Sequence, residues 1–125
     1  MYISVVRLPV ADPDRAIDFY VNKLGWEKTM DVSMGEDGRW VTVAPQGEGS
    51  TAFVLEATPQ HTGGSSGVIL EVDDVYGEHD KLSKKNVEFT EKPRTEPWGG
   101  WAMFKDTEGN VHGLHSGATS NIGSG

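Results

Sequence analysis

The sequence predicts an α+β fold made of two copies of one module, each a strand followed by a helix and three further strands. Three observations carry this reading: the chain repeats itself at about half its length, each repeat holds one capped helical stripe, and short β-type runs bounded by turn residues follow each stripe. Val10-x-Asp12 recurs as Val72-x-Asp74, 62 positions on. After one deletion, Gly25, Glu27, Thr29, Gly38 and Trp40 recur 61 positions on as Asn86, Glu88, Thr90, Gly99 and Trp101.

The first strand alternates Val6, Leu8 and Val10, and Asp12-Pro13 then supplies an N-cap and a proline at the first helical position. Ile17, Tyr20, Val21 and Leu24 fall on one helical stripe, and Gly25 is suited to end the helix in the left-handed conformation. Strands are expected near 26–34, 39–44 and 51–57. In the second module Val68, Leu70 and Val72 form the opening strand and Asp74 caps a helix with Val75 and Leu82 facing inward. Gly77 weakens that helix, Asn86 replaces the terminal glycine, and strands follow near 87–92, 100–105 and 110–115. The modules span 1–57 and 67–116 of a single domain, with a Pro-, Gly-, Ser- and Thr-rich linker at 58–66 and a polar tail at 117–125.

At 125 residues the chain has enough length for one core. A formal net charge of −8, with no run of Lys or Arg long enough to lay a positive stripe, argues against a nucleic-acid partner and favours a cationic ligand if the charge has a function. There is no cysteine, so disulfides, thiolate metal sites and a cysteine nucleophile are excluded. The N-terminus lacks the pattern of a signal peptide and no apolar run approaches the ~20 residues of a membrane span. A cytoplasmic protein with no membrane partner is expected. "GGSSG" lacks the lysine or glycine spacing of a phosphate loop or dinucleotide fingerprint, and no nucleophile–base arrangement of a serine with a histidine is recognisable.

The segments VADPDRAIDFYVNKLGWE (10–27), RWVTVAP (39–45), VILEVDDV (68–75) and AMFKDTEGN (102–110) resemble the vicinal oxygen chelate superfamily, which includes glyoxalase I, extradiol dioxygenases and bleomycin-resistance proteins. The resemblance covers about residues 3–116. It implies βαβββ modules whose strands curl into a cup-shaped mixed sheet, with helices on the convex side, the ligand on the concave side and a homodimer as the common assembly. Metal-dependent relatives take four ligands, one in the first and fourth strand of each module. The matching positions are Val5, Gly67, Gly113 and either Val54 or Glu56, so at least three carry no donor atom. No metal and no other cofactor is expected.

Because a strand alternates sides, apolar Val6, Leu8, Val10, Phe53, Leu55 and Leu114 belong under the helices. This leaves Val5, Arg7, Val54, Glu56, Gly67, Ile69, Glu71, Val111, Gly113 and His115 on the concave faces, joined by Trp40 and Trp101. The candidate ligand-binding residues are Arg7, Trp40, Glu56, Glu71, Trp101, Met103 and His115. Trp98, with Phe53 or Phe89, could add apolar wall, whereas Trp26 or Trp98 could instead fill the core or a dimer interface. The EPWGGW segment resembles a flexible loop before the seventh strand. His112 is expected to pack on the convex side, and His61 and His79 carry no functional signal. No catalytic residue is identified. The first reading is a metal-free protein that binds, and by analogy with bleomycin-resistance proteins sequesters, a small cationic or aromatic drug. The second is a lyase, isomerase or dioxygenase using a rearranged Glu56/His115 metal site, or Glu56 or Glu71 as a base.

Overall fold

The computed structural model describes residues 1–47, 49–58, 60 and 62–117, and the chain divides into two compact units at Gly63/Gly64. The first unit runs β1 (Val5–Val10), α1 (Pro13–Asp18), β2 (Glu27–Ser33), β3 (Arg39–Ala44) and β4 (Ala52–Ala57). Its sheet order is β1-β4-β3-β2, with β1 parallel to β4 and the other pairs antiparallel. The second repeats the design with β5 (Gly64–Glu71), α2 (Val75–Ser83), β6 (Glu88–Glu96), β7 (Gly99–Lys105) and β8 (Asn110–Ser116) in the order β5-β8-β7-β6. The α+β class and the strand–helix–three-strand order hold in both repeats.

Asp12 caps α1 by accepting from the Arg15 N–H at 3.2 Å. After Asp18 the winding widens: Leu24 N donates to Phe19 O, five residues back, at 3.2 Å, before Gly25 at φ +75° ends the helix. The buried face is Ala16, Phe19 and Tyr20, one position off the expected stripe, and Ile17, Val21 and Leu24 are half-buried. Two apolar stripes were available to this helix. Aromatic bulk chooses between them: Tyr20 meets Phe53 of β4 edge-on at 5.7 Å, and Trp26 closes the rim of this core against both rings.

Asp74 caps α2 through the Tyr76 N–H at 3.0 Å, Val75 and Leu82 are buried, and Asn86 takes the left-handed conformation at φ +64°. β5 starts inside the expected linker, at Gly64, because Gly64 N bonds Gly109 O at 3.0 Å. Ser65 pairs with Val111 but Ile69 with Gly113, so two extra residues bulge out around Gly67, which stands at φ +75°. β6 runs on to Glu96, beyond the expected end at 92. It tolerates Pro93 because it is an edge strand and its register shifts between Glu91 and Arg94. EPWGGW is correspondingly a tight hairpin turn, with Glu96 paired to Gly99 and only Pro97 and Trp98 between them.

Beneath α2, His112 is fully buried, packs edge-on against Phe104 at 5.5 Å and holds Ser66 Oγ 2.7 Å from its Nδ1. Burial pushes this imidazole down to about 4, against a smaller opposing pull from Asp106. The unfolded chain therefore binds a proton near pH 6.5 that the folded chain refuses until about pH 4, so stability is lost as pH falls through that window. Urea melts at pH ~7 and pH ~5 should differ by about 2 kcal/mol, and His112→Gln should remove most of that difference.

Candidate ligand-binding site

The face of the second sheet turned away from α2 gathers four of the expected residues. Paired register sets His115 of β8 between Glu71 of β5 and Trp101 of β7, and sets Gly113 between Ile69 and Met103. His115 Nδ1 lies 2.6 Å from Glu71 Oε1, and its Nε2 lies 3.0 Å from the Trp98 carbonyl oxygen. Both partners are acceptors, so the arrangement is fully hydrogen-bonded when both ring nitrogens carry a proton, that is, as the imidazolium. The Glu71 carboxylate foremost, then the Trp98 carbonyl, raises its pKa above the ordinary 6.5. The Trp98 indole stacks on this ring at 5.9 Å and 22°, and meets Trp101 edge-on at 5.7 Å and 77°.

Trp101 reaches along the sheet and lies over Gly113. A Cβ at Gly113 would stand 2.6 Å from Trp101 Cη2 and within 3.2 Å of two more ring atoms. The glycine is the space the indole occupies. Trp98, 51% exposed, meets this half-buried ring, and Ile69, 59% exposed, is paired with the Gly113 beneath it, which gives an apolar floor with one aromatic wall.

In the first unit Arg7 and Glu56 form a two-point ion pair, Nε to Oε2 at 2.8 Å and Nη2 to Oε1 at 3.1 Å. Glu56 and Trp40 line a cleft of about 460 Å³ with Met34, Glu36, Arg39 and Val54. Arg39 brings little free charge, since it is bonded to Asp31 and Asp14 and holds the Asp31 carboxyl well below the usual carboxylate range, helped by Lys28. Trp40 pairs with Val32 and Thr42 with Met30, which extends the cleft's face with exposed apolar side chains. Repeat symmetry holds at side-chain level: Trp40 stands two residues before Thr42, the partner of Val54, as Trp101 stands two before Met103, the partner of Gly113.

The model of the Glyoxalase/Bleomycin resistance protein/Dioxygenase superfamily matches residues 2–112. The chain belongs to this superfamily. Within it, the chain is 31% identical over 112 residues to YetH of Bacillus subtilis strain 168, covering 87% of this chain and 92% of that protein. A superfamily member from Sphaerobacter thermophilus superposes with a TM-score of 0.84 at 32% identity, over 93% of this chain and 97% of that one. TnmS3, an antibiotic binding protein from Streptomyces sp. CB03234, superposes with a TM-score of 0.80 at 34% identity, over 94% and 96%.

Superfamily membership raises the question of a metal, and the donor set answers it. Arg7 and Ile69 stand three residues before the valine of V-x-D in their repeats, so their partners Val54 and Gly113 are equivalent, and the fourth ligand position is Val54, not Glu56. None of Val5, Val54, Gly67 and Gly113 has a donor side chain. Gly113 is covered by an indole, Gly67 is in a left-handed bulge, Glu56 is committed to Arg7, and both His115 ring nitrogens face partners of their own in Glu71 and Trp98. Among the described residues no three His, Cys, Asp or Glu side chains are placed to hold a metal ion. These residues do not fit the superfamily's metal.

Other expectations need correction. Phe89 packs on His79 at 4.6 Å and on Phe104 at 6.0 Å, which puts it with α2 and away from Trp101; His79 is thereby half-buried under an aromatic ring. Phe53 is on the α1 side, as strand parity requires, and so is no wall beside Trp98. Ser66 and His112 form a serine–histidine contact that sequence reasoning missed, since 46 residues separate them and only the β5–β8 pairing joins them. Its chemistry is structural: His112 is fully buried, and Ser66 Oγ also contacts Val111 O and Val68 N, which fixes the bulge. His61 lies outside the described residues.

Proposed function

We propose that this protein is a metal-independent binder that sequesters a planar aromatic or cationic small molecule without transforming it. One observation carries the reading: where metal-dependent relatives place a ligand side chain, Gly113 makes room for the Trp101 indole. The site thereby exchanges a Lewis acid for a flat apolar surface, which stacks an aromatic ligand and attracts a cation by about 0.5–2 kcal/mol. Each unit presents its own candidate contact surface: Arg7, Trp40 and Glu56 in the first, and Glu71, Trp101, Met103 and His115 in the second. Glu36 at the Trp40 cleft suits a cationic substituent. The likeness to an antibiotic binding protein supports the same reading. A homodimer is part of it, supported by exposed Met30, Val32 and Trp40, as is a cytoplasmic location, supported by the lack, among the described residues, of a helix long and apolar enough to cross a membrane.

Two measurements test it on protein purified without a metal-affinity tag. Metal analysis and thermal-shift titration with Zn, Ni, Mn and Fe(II) should give no stoichiometric ion and no stabilisation. Tryptophan-fluorescence titration with planar aromatic antibiotics, neutral and cationic, should saturate at stoichiometric ligand, with the ligand recovered chemically unchanged. A bound ion, or turnover lost in Glu56→Gln, would replace this reading with a lyase, isomerase or dioxygenase.

A further inference from the structure

The structure assigns His115 a second role: we propose that it is a proton-controlled latch, tying the turn that carries Trp98 to Glu71 of β5 while both ring nitrogens are protonated and releasing that turn when one proton leaves. The inference rests on the binding reading for its consequence, because Trp98 is the wall of the proposed site, but its mechanism is independent of any ligand.

The geometry makes the imidazole a two-sided donor. Nδ1 faces the Glu71 carboxylate at 2.6 Å and Nε2 faces the Trp98 carbonyl at 3.0 Å. A neutral histidine has a single N–H. It stays on Nδ1, where the acceptor is charged and the bond stronger, so Nε2 turns a lone pair toward the lone pairs of the Trp98 carbonyl. An attraction becomes a repulsion at a point where His115 of β8 holds the turn.

Trp98 is one of only two residues between the paired Glu96 and Gly99, and Gly99 stands at φ +128°, so a small change there re-aims the whole indole. The stack of Trp98 on His115 weakens at the same step, since the ring under it loses its charge. Two cationic groups of this unit's sheet are committed elsewhere. Arg94, beside Trp101 in register, is bonded to Glu91 and Glu96, and Lys105 is paired with Glu88. Glu71 is therefore the carboxylate that sets the latch, and it raises the imidazole's pKa in the direction that keeps the turn held at neutral pH.

Long-range proton–nitrogen NMR of the ligand-free, nitrogen-15-labelled protein from pH ~5 to pH ~9 tests this directly. Both His115 nitrogens should be protonated at the acid end, Nε2 should lose its proton with a midpoint above 6.5, and the Trp98 indole N–H signal should shift with the same midpoint. In Glu71→Gln the two midpoints should move down together, and in His115→Gln the Trp98 signal should stop titrating. A singly protonated His115 at the acid end, or a Trp98 signal indifferent to His115, overturns the latch. Since no ligand is present, either result leaves the binding reading to its own titration. If that reading stands, affinity should fall about three- to tenfold across the same midpoint, as for one hydrogen bond lost at a wall of the site.

Discussion

Gly113→Val is expected to destabilise the protein by about 3 kcal/mol, the upper end of overpacking, lowering Tm by roughly 10 °C. Valine is at home in a strand and Gly113 shows no left-handed φ, so the backbone of β8 gives no reason for a loss. The reason is the indole: a Cβ would stand 2.6 Å from Trp101 Cη2, and the two further ring atoms within 3.2 Å mean that the whole ring must leave. Thermal melts of a double-mutant cycle separate this from a general strand defect. Added to Trp101→Ala, the valine should cost far less than it does in the wild type, a coupling of more than about 1 kcal/mol. Equal costs in both backgrounds would show that Trp101 does not fill Gly113's space.

Asp106→Ala should cost about 3–4 kcal/mol in urea denaturation, and Asp106→Asn much less. Asp106 opens the turn between β7 and β8. Its Oδ1 accepts the N–H groups of Glu108 and Asn110, each at 2.8 Å, and its Oδ2 accepts from Asn110 Nδ2 at 3.2 Å. All three residues are buried, so alanine strands two backbone donors away from water, the expensive way to lose a hydrogen bond. Asparagine keeps the oxygen that serves both. A small loss in Asp106→Ala would mean that water reaches the turn and that this carboxylate is not its organising group.

That turn also shows what was legible in the chain. The run Phe104-x-Asp106-x-x-Gly109-Asn110 marks the fold because each letter has a local physical duty: Asp106 collects the N–H groups, Gly109 takes φ +83°, and Phe104 starts the core behind them. Asp12 and Asp74 as caps, and Gly25 and Asn86 as left-handed stops, were readable for the same reason. Arg7 and Glu56 were readable as neighbours because strand parity places them on one face. The buried stripe of α1, the length of β6 and the start of β5 were not, since aromatic packing, an edge position and a bulge decide them, and none of these is a property of its own segment.

The sequence by itself determined the repeat, the order of elements in each half, the face on which each candidate residue stands, and the absence of donor atoms at three or more of the superfamily's ligand positions. Those are matters of local conformation and of residue identity, which neighbouring positions carry. Only the tertiary structure decided that Trp101 lies on Gly113, that Glu71, His115 and Trp98 form one hydrogen-bonded unit, and that Ser66 meets His112. Each of these depends on which strands pair and in what register. Register is set by long-range hydrogen bonding and by bulges such as the one at Gly67, for which the letters of a single strand hold no period.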